Sequence, residues 1–334
     1  MRKTFQVAKN EALTYWQNIV SSPERAYELF AHVAQLRRTY LGGTPWLTAG
    51  SGGLFPCRIH PRCGYCSFYS EEHFSLKALL LCLEKLEELG YRQFHISGGT
   101  DLDGGFEDEL LEMLRQIQQH CSIGIEVNLG PSFSKEALVE MKRLGVESVT
   151  SSLEFTNPAI FSATKPGDSL EKRISLLEAC EELGIASRSM MLIGLGESME
   201  DRIDHLLLLR SFPHLYQLRI SRFMPFSGTL YSNYPRCSTW ELALTVALAR
   251  LILPDREISL GAGNSDDDIP LWYLAGGGNQ LVGAFVSATE RPKRPDVDVY
   301  CLDEHAYVID SRKAKEHILE GMGFSDVGFL PRRD

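Results

Sequence analysis

The stretch Phe55-Pro56-Cys57-Arg58-Ile59-His60-Pro61-Arg62-Cys63-Gly64-Tyr65-Cys66 decides how the rest of the chain is read. It places three thiols in one short loop, spaced C-x5-C-x2-C. Thiolates so close in sequence can hold three irons of a cubic [4Fe–4S] cluster, since thiolate is the usual ligand of such clusters. The fourth iron then has no protein ligand and can bind and reduce a small molecule. A zinc site competes for the same residues. His60 lies between Cys57 and Cys63, so the loop also reads C-x2-H-x2-C-x2-C, and Cys3His is a legitimate structural zinc set.

Outside the loop, strand-like and helical patterns alternate. Short strand-like runs near 47–55, 92–97, 122–128, 146–152, 187–193, 216–222, 257–261 and 280–285 predict strands. Helical periodicity over 76–89, 107–119, 134–144, 169–183, 199–211 and 239–252 separates most of them. Gly90, Gly145 and Gly184 sit where helices end in a glycine. This alternation predicts an α/β fold, a (β/α)8 TIM-type barrel spanning 46–310. Residues 1–45 predict a helical extension. Leu13, Trp16, Ile19 and Val20 form one apolar stripe in it; Ala26, Leu29, Phe30, Val33 and Leu36 form another. Ser21-Ser22-Pro23-Glu24 reads as an N-cap with Pro at the first helical position. Residues 311–334 read as a C-terminal helix and tail. The cysteine loop follows the first strand, so it falls at the C-terminal mouth of the barrel, where βα loops build active sites. A catalytic cluster needs that position; a zinc knuckle does not.

Composition narrows the class. The chain has 334 residues, 44% hydrophobic and 23% charged, with a net charge of −10. That is ordinary for a globular protein and argues against a nucleic-acid partner, which favours a basic surface. No run approaches the roughly 18 apolar residues of a membrane span. The opening residues lack the apolar core of a secretion signal, and eight cysteines without one predict a reducing, cytoplasmic setting. Cys82, Cys121, Cys180, Cys237 and Cys301 are scattered; Cys82 and Cys180 read as small buried hydrophobes within helices.

Other strand ends carry polar or glycine-rich sequence. Gly98 and Gly99 follow the second strand and permit close backbone approach. Ser152 and Glu154 end the fourth, a pair suited to ribose hydroxyls. Ile193 opens the turn Gly194-Leu195-Gly196-Glu197, with Glu197 expected to organise it. Arg173 lies on the next helix after Glu154 and can pair with a carboxylate. Leu260 to Pro270 and Ala275 to Asn279 fit either polar substrate loops or plain glycine-rich connections.

In this order the motifs resemble the biotin synthase-like radical S-adenosylmethionine (SAM) enzymes over roughly 25–290. Ser152-Leu153-Glu154 falls at the family's ribose motif, Glu171-Lys172-Arg173-Ile174 at the run whose arginine contacts SAM, and Ile193 to Glu197 at its Val-Gly-Leu-Gly-Glu turn. The resemblance implies an enzyme with one [4Fe–4S] cluster on Cys57, Cys63 and Cys66 that cleaves SAM reductively to a 5′-deoxyadenosyl radical. It implies SAM contacts at Tyr65, Gly98, Gly99, Ser152, Glu154, Arg173 and Ile193. It also implies a small-molecule substrate and an external one-electron reductant such as ferredoxin or flavodoxin. Where biotin synthase carries second-cluster cysteines, this chain has His95, Val127 and Arg188, so sulfur insertion is not expected. Arg188 must instead meet an anion, either an internal carboxylate or an acidic substrate, and the substrate is the favoured partner. His95, Asn128, Arg188, Asn264 and Asp266 are the candidate substrate contacts. Within the group, C-x5-C-x2-C resembles the HmdB (HcgA) subgroup, which is associated with the iron-guanylylpyridinol cofactor of [Fe]-hydrogenase. Other biotin synthase-like lyases, rearrangement enzymes and HydE-type maturases share the SAM motifs.

Overall fold

The computed structural model describes residues 7–67, 74–291, 294–325 and 327–329. The extreme N-terminus and the tail beyond Phe329, included in the sequence expectations, lie outside these residues. Two helices lead, α1 (Lys9–Ser21) and α2 (Arg25–Tyr40). Alternating strands and helices follow: β1 (Trp46–Gly53), α3 (Leu76–Glu88), β2 (Gln93–Ser97), α4 (Glu107–His120), β3 (Gly124–Asn128), α5 (Lys135–Arg143) and β4 (Ser148–Thr150). Then come α6 (Pro158–Thr164), α7 (Leu170–Leu183), β5 (Ser187–Ile193), α8 (Met199–Arg210), β6 (Leu215–Arg222), α9 (Thr239–Ile252) and β7 (Glu257–Leu260). The chain continues with α10 (Ile269–Leu274), β8 (Gln280–Ser287), a hairpin of β9 (Asp298–Asp303) and β10 (Ala306–Asp310), α11 (Arg312–Gly321) and β11 (Gly328–Phe329). The predicted strands and helices fall within a residue or two of these bounds. The short α6 was not foreseen, although Asn157 caps it and Pro158 opens it, the usual signature of a helix start.

Strands β1 to β8 run parallel, in the spatial order β7-β6-β5-β4-β3-β2-β1-β8. This is the TIM-barrel-like α/β architecture, with one departure. No ladder joins β7 to β8 among the described residues. At the lower end of this seam Gly278 N–H donates to Ile258 O at 2.7 Å. The Glu257 carboxylate accepts from the backbone N–H groups of Asn279 (2.8 Å) and Gln280 (3.0 Å). Higher up, Ala284–Ser287 of β8 pair antiparallel with β10 and have no edge left for β7. The seam therefore opens toward the C-terminal ends of the strands. The glycines after Ala275 precede β8 and belong to this seam at the opposite end of the barrel. Their sequence is structural, and the substrate-pocket reading of them is withdrawn.

Every residue of α9 from Leu242 to Ile252 is buried. A helix apolar all round needs cover on both sides, and α1 and α2 supply it. Ala26, Leu29, Phe30 and Val33 of α2 are buried as the stripe predicted. Val20 of the first stripe is 64% exposed instead. The expected serine cap before α2 is absent as well: the cap position is Glu24, without a side-chain cap, and the Ser22 hydroxyl donates to the Glu24 carboxylate.

Candidate active site

The cysteine loop leaves the top of β1 and folds over the strand ends. Its course depends on two close approaches. A Cβ at Gly99 would collide with the backbone of Cys57, and one at Gly167 with the backbone of His60 and Pro61. Gly64 is tied on both sides, its N–H to Thr164 O at 2.8 Å and its carbonyl to the N–H of Leu230 at 2.9 Å. So held, Cys57, Cys63 and Cys66 line a cavity of about 700 Å³ inside the barrel mouth. Burial pushes the Cys63 thiol up to about 12, against the opposing charge of Lys165. His60 is exposed and does not line the cavity. Among the described residues, no three His, Cys, Asp or Glu side chains are placed to hold a single metal ion. The Cys3His zinc reading therefore finds no assembled donor set. A cubic cluster asks for less convergence, since each thiolate binds its own iron.

Tyr65, Gly98, Gly99, Ser152, Glu154 and Arg173 line the same cavity. Ile193 does not: it is fully buried, while Leu192 faces the cavity, as strand alternation requires. The turn after Ile193 is organised by Glu197, which accepts from the N–H groups of Gly194 (2.6 Å) and Leu195 (3.0 Å). Glu154 is the only non-glycine residue with positive φ among the described residues, at 62°. Such strain persists where the surroundings over-determine it, and it concentrates at functional sites. Its Oε2 accepts from the Tyr65 hydroxyl and from Lys165 Nζ, the latter at 2.7 Å. Both contacts use one oxygen, and Oε1 makes neither.

Lys165 and Asp168 extend this network, and the sequence reading named neither. Lys165 Nζ also lies 3.0 Å from Asp168, and Arg173 grips the same carboxylate through Nε and Nη2 (2.9 and 2.6 Å). Burial raises the Asp168 pKa, but Arg173 and Lys165 outweigh it and hold the carboxyl far below its usual range. Arg173 thus reaches the cavity already paired, with Nη1 also donating to Ser152 O at 2.9 Å. The polar turn Lys165-Pro166-Gly167-Asp168 was the signal in the sequence.

The candidate substrate contacts all line the cavity as well, but they are not equally available. Arg188 forms a buried ion pair with Glu126 and donates to Gln217. Its anion is thus an internal carboxylate, and the expectation of an acidic substrate at Arg188 is corrected. Arg188 Nη1 also donates to His95 Nδ1 at 3.3 Å. The other ring nitrogen, Nε2, faces the Asn128 amide nitrogen Nδ2 at 3.4 Å, so a donor approaches the ring from each side. Burial, then Arg219 and Arg188, push the His95 pKa well below its usual value and keep the ring neutral. The Asn264 amide is engaged by the backbone at Ile220 O (2.7 Å), Gly261 O (3.0 Å) and Arg222 N–H (3.2 Å). It holds the β6 and β7 ends together and has little left for a ligand. Asp266 pairs with Lys315 at the rim.

Residues 57–209 match the model of the radical SAM superfamily. Those residues form a radical SAM domain. It has biotin synthase-like relatives. It is 25% identical to biotin synthase of Geobacter metallireducens, over 83% of this chain and 87% of that protein. It is also 28% identical to an uncharacterized protein of Methanocaldococcus jannaschii, over 73% of this chain but only 65% of that protein, just under two thirds of its length. Among solved structures, methylornithine synthase superposes with a TM-score of 0.78 at 17% identity, covering 98% of this chain and 96% of that one. The [FeFe]-hydrogenase maturase HydG from Carboxydothermus hydrogenoformans does so with 0.76 at 21% identity, covering 96% of this chain and 75% of that one. These likenesses speak for the fold.

Radical SAM enzymes use a [4Fe–4S] cluster and SAM. The residues present fit both. Three thiols of one loop face one cavity, and beside them stands a strained glutamate with one carboxylate oxygen outside its internal contacts. No helix among the described residues is long and apolar enough to cross a membrane.

Proposed function

We propose that Cys57, Cys63 and Cys66 carry a single [4Fe–4S] cluster and that Tyr65, Ser152, Glu154 and Arg173 receive SAM beside it. The observation that carries this reading is the shared cavity. The bound pair supplies the chemistry, a one-electron cleavage of SAM that yields a radical able to take hydrogen from a substrate. The chain's own residues position and shield. Glu154 Oε1 offers an acceptor to a ribose hydroxyl or the SAM ammonium. Tyr65 fixes the Glu154 carboxylate and covers the loop. Asp168 aligns the Arg173 fork, and the barrel wall excludes water. The test is anaerobic reconstitution with iron and sulfide, followed by reduction in the presence of SAM. Formation of 5′-deoxyadenosine and methionine is expected; a reconstituted protein that leaves SAM intact would refute the reading.

The substrate is a small molecule, and an external one-electron donor, such as ferredoxin or flavodoxin, reduces the cluster. The C-x5-C-x2-C spacing supports a step in assembling the guanylylpyridinol cofactor of [Fe]-hydrogenase. Sulfur insertion is disfavoured by the interior itself. Val127 is fully buried and does not line the cavity. Arg188 is committed to Glu126 where a second cluster would need a thiolate.

Two expected results follow from the geometry. Gly99→Ala puts a methyl group against the Cys57 backbone, so iron uptake should fall as if a cysteine were missing, although all three thiols remain. Gly321→Ala, where an added methyl meets nothing within 4 Å, is the control. Normal iron content in Gly99→Ala would show that the loop position is not needed for the cluster. Separately, Glu154→Ala and Arg173→Ala should retain iron but bind SAM roughly 10- to 150-fold more weakly, the scale of a lost hydrogen bond to a charged group. Equilibrium dialysis measures this, and unchanged affinity in both variants would move the SAM site elsewhere.

A further inference from the structure

The cations lining the cavity are nearly all neutralised from within. Lys165 and Arg173 share Asp168, with Lys165 also on Glu154; Arg188 has Glu126, Arg222 has Asp268 and Lys315 has Asp266. Arg219 is different. It lies on β6, lines the cavity, and has no ion pair or hydrogen bond among the described residues; its Nε is buried without an acceptor. Burial, and next the charge of Arg188, push its pKa down to about 9. That is still high enough to keep it charged at neutral pH. An unpaired charge in such a place is costly to the folded protein.

Three observations say what would relieve it. The internal pairs cancel, which leaves the charge of Arg219 in the cavity wall, with Arg291 exposed at its rim. That matches a monoanion better than a phosphate, which brings nearly two charges. A guanidinium presents a planar fork that complements a carboxylate with two parallel hydrogen bonds. The neighbouring His95 is neutral, so its polar ring stands nearby without adding a second charge.

We propose that Arg219 binds the carboxylate of the substrate, so that the enzyme acts on a small monocarboxylic acid held inside the barrel. This rests on the radical SAM site described above and assigns Arg219 to the substrate side of it. The SAM side is formed by β4, α7 and the cysteine loop.

The test compares isosteric acids and amides as probes: benzoate with benzamide, nicotinate with nicotinamide, and hexanoate with hexanamide. Binding to reconstituted, SAM-loaded enzyme is measured by calorimetry. At least one acid should bind roughly 10- to 150-fold more tightly than its amide. Arg219→Met should erase that preference, and Arg219→Lys should keep part of it. Acids and amides binding alike in the wild type would overturn the proposal, as would undetectable binding of every probe. A preference that survives Arg219→Met would also overturn it. So would a loss of SAM affinity in Arg219→Met, because Arg219 would then serve the SAM carboxylate. Failure of the radical reading looks different: the wild type would keep the acid preference yet leave SAM uncleaved.

Discussion

Alanine in place of Cys57, Cys63 or Cys66 is expected to reduce iron in the reconstituted protein to background and to abolish SAM cleavage, each variant alone having the full effect. A cubic cluster needs all three thiolates because one iron already lacks a protein ligand, and a second open corner leaves the cube exposed to loss. None of the other five thiols lines the cavity. Cys82 and Cys180 are fully buried in helices α3 and α7, and Cys301 is exposed on β9. Cys301→Ala should therefore keep wild-type iron and turnover. Iron assay with visible absorption, and chromatographic detection of 5′-deoxyadenosine, are the measurements. Near-normal iron and SAM cleavage in any one of the loop variants would remove that cysteine from the cluster. The folded barrel should survive the change, since the loop crosses over the strand ends rather than forming the core.

How much of this was legible in the sequence depends on the range of the interaction. Helix and strand positions followed from local periodicity, and the barrel followed from their alternation. Register between distant strands did not. The β7–β8 seam depends on Glu257 capping backbone N–H groups of Asn279 and Gln280, a contact that no local pattern announces. The β9–β10 hairpin was hidden because β9 has no buried residue, and β10, buried at every second position, carries apolar residues on both faces and an inward Asp310. Gly99 was picked out for another reason. It was expected to admit SAM, and the structure shows that it admits the Cys57 backbone first.

Within the site, charged residues were found and their partners missed. Glu154 and Arg173 came from a motif, whereas Lys165 and Asp168 came from an unremarked turn. Arg219 had a visible signal. Gln217, Arg219 and Ser221 alternate with Leu218 and Ile220 along β6, and a parallel strand covered by helices is normally apolar on both faces. Polar residues at period two in such a strand mean a polar barrel interior. Reading β6 only as a strand-like run lost that information.

The Arg188–Glu126 pair yields the second large effect, and it is one of stability. Both side chains are about 1% exposed. Arg188→Met leaves the Glu126 carboxylate, among the described residues, with the Tyr216 and Ser148 hydroxyls and the neutral His95 ring at 3.8 Å. Glu126→Gln leaves Arg188 beside Arg219 with no counter-charge. Breaking a buried pair from one side costs about 3–5 kcal/mol, because the remaining charge is stranded, whereas removing both partners can be close to neutral. Each single variant should therefore lose about 3–5 kcal/mol in urea unfolding followed by circular dichroism. The double variant Arg188→Met/Glu126→Gln should recover most of it. The coupling, not the size of either loss, is the decisive quantity. If Arg188 were held instead for an acidic substrate, Arg188→Met would relieve an unpaired charge and stabilise the unliganded protein, and the losses in the double variant would simply add. Recovery in the double variant supports Arg188 as the interior's own counter-ion and leaves Arg219 to meet the substrate.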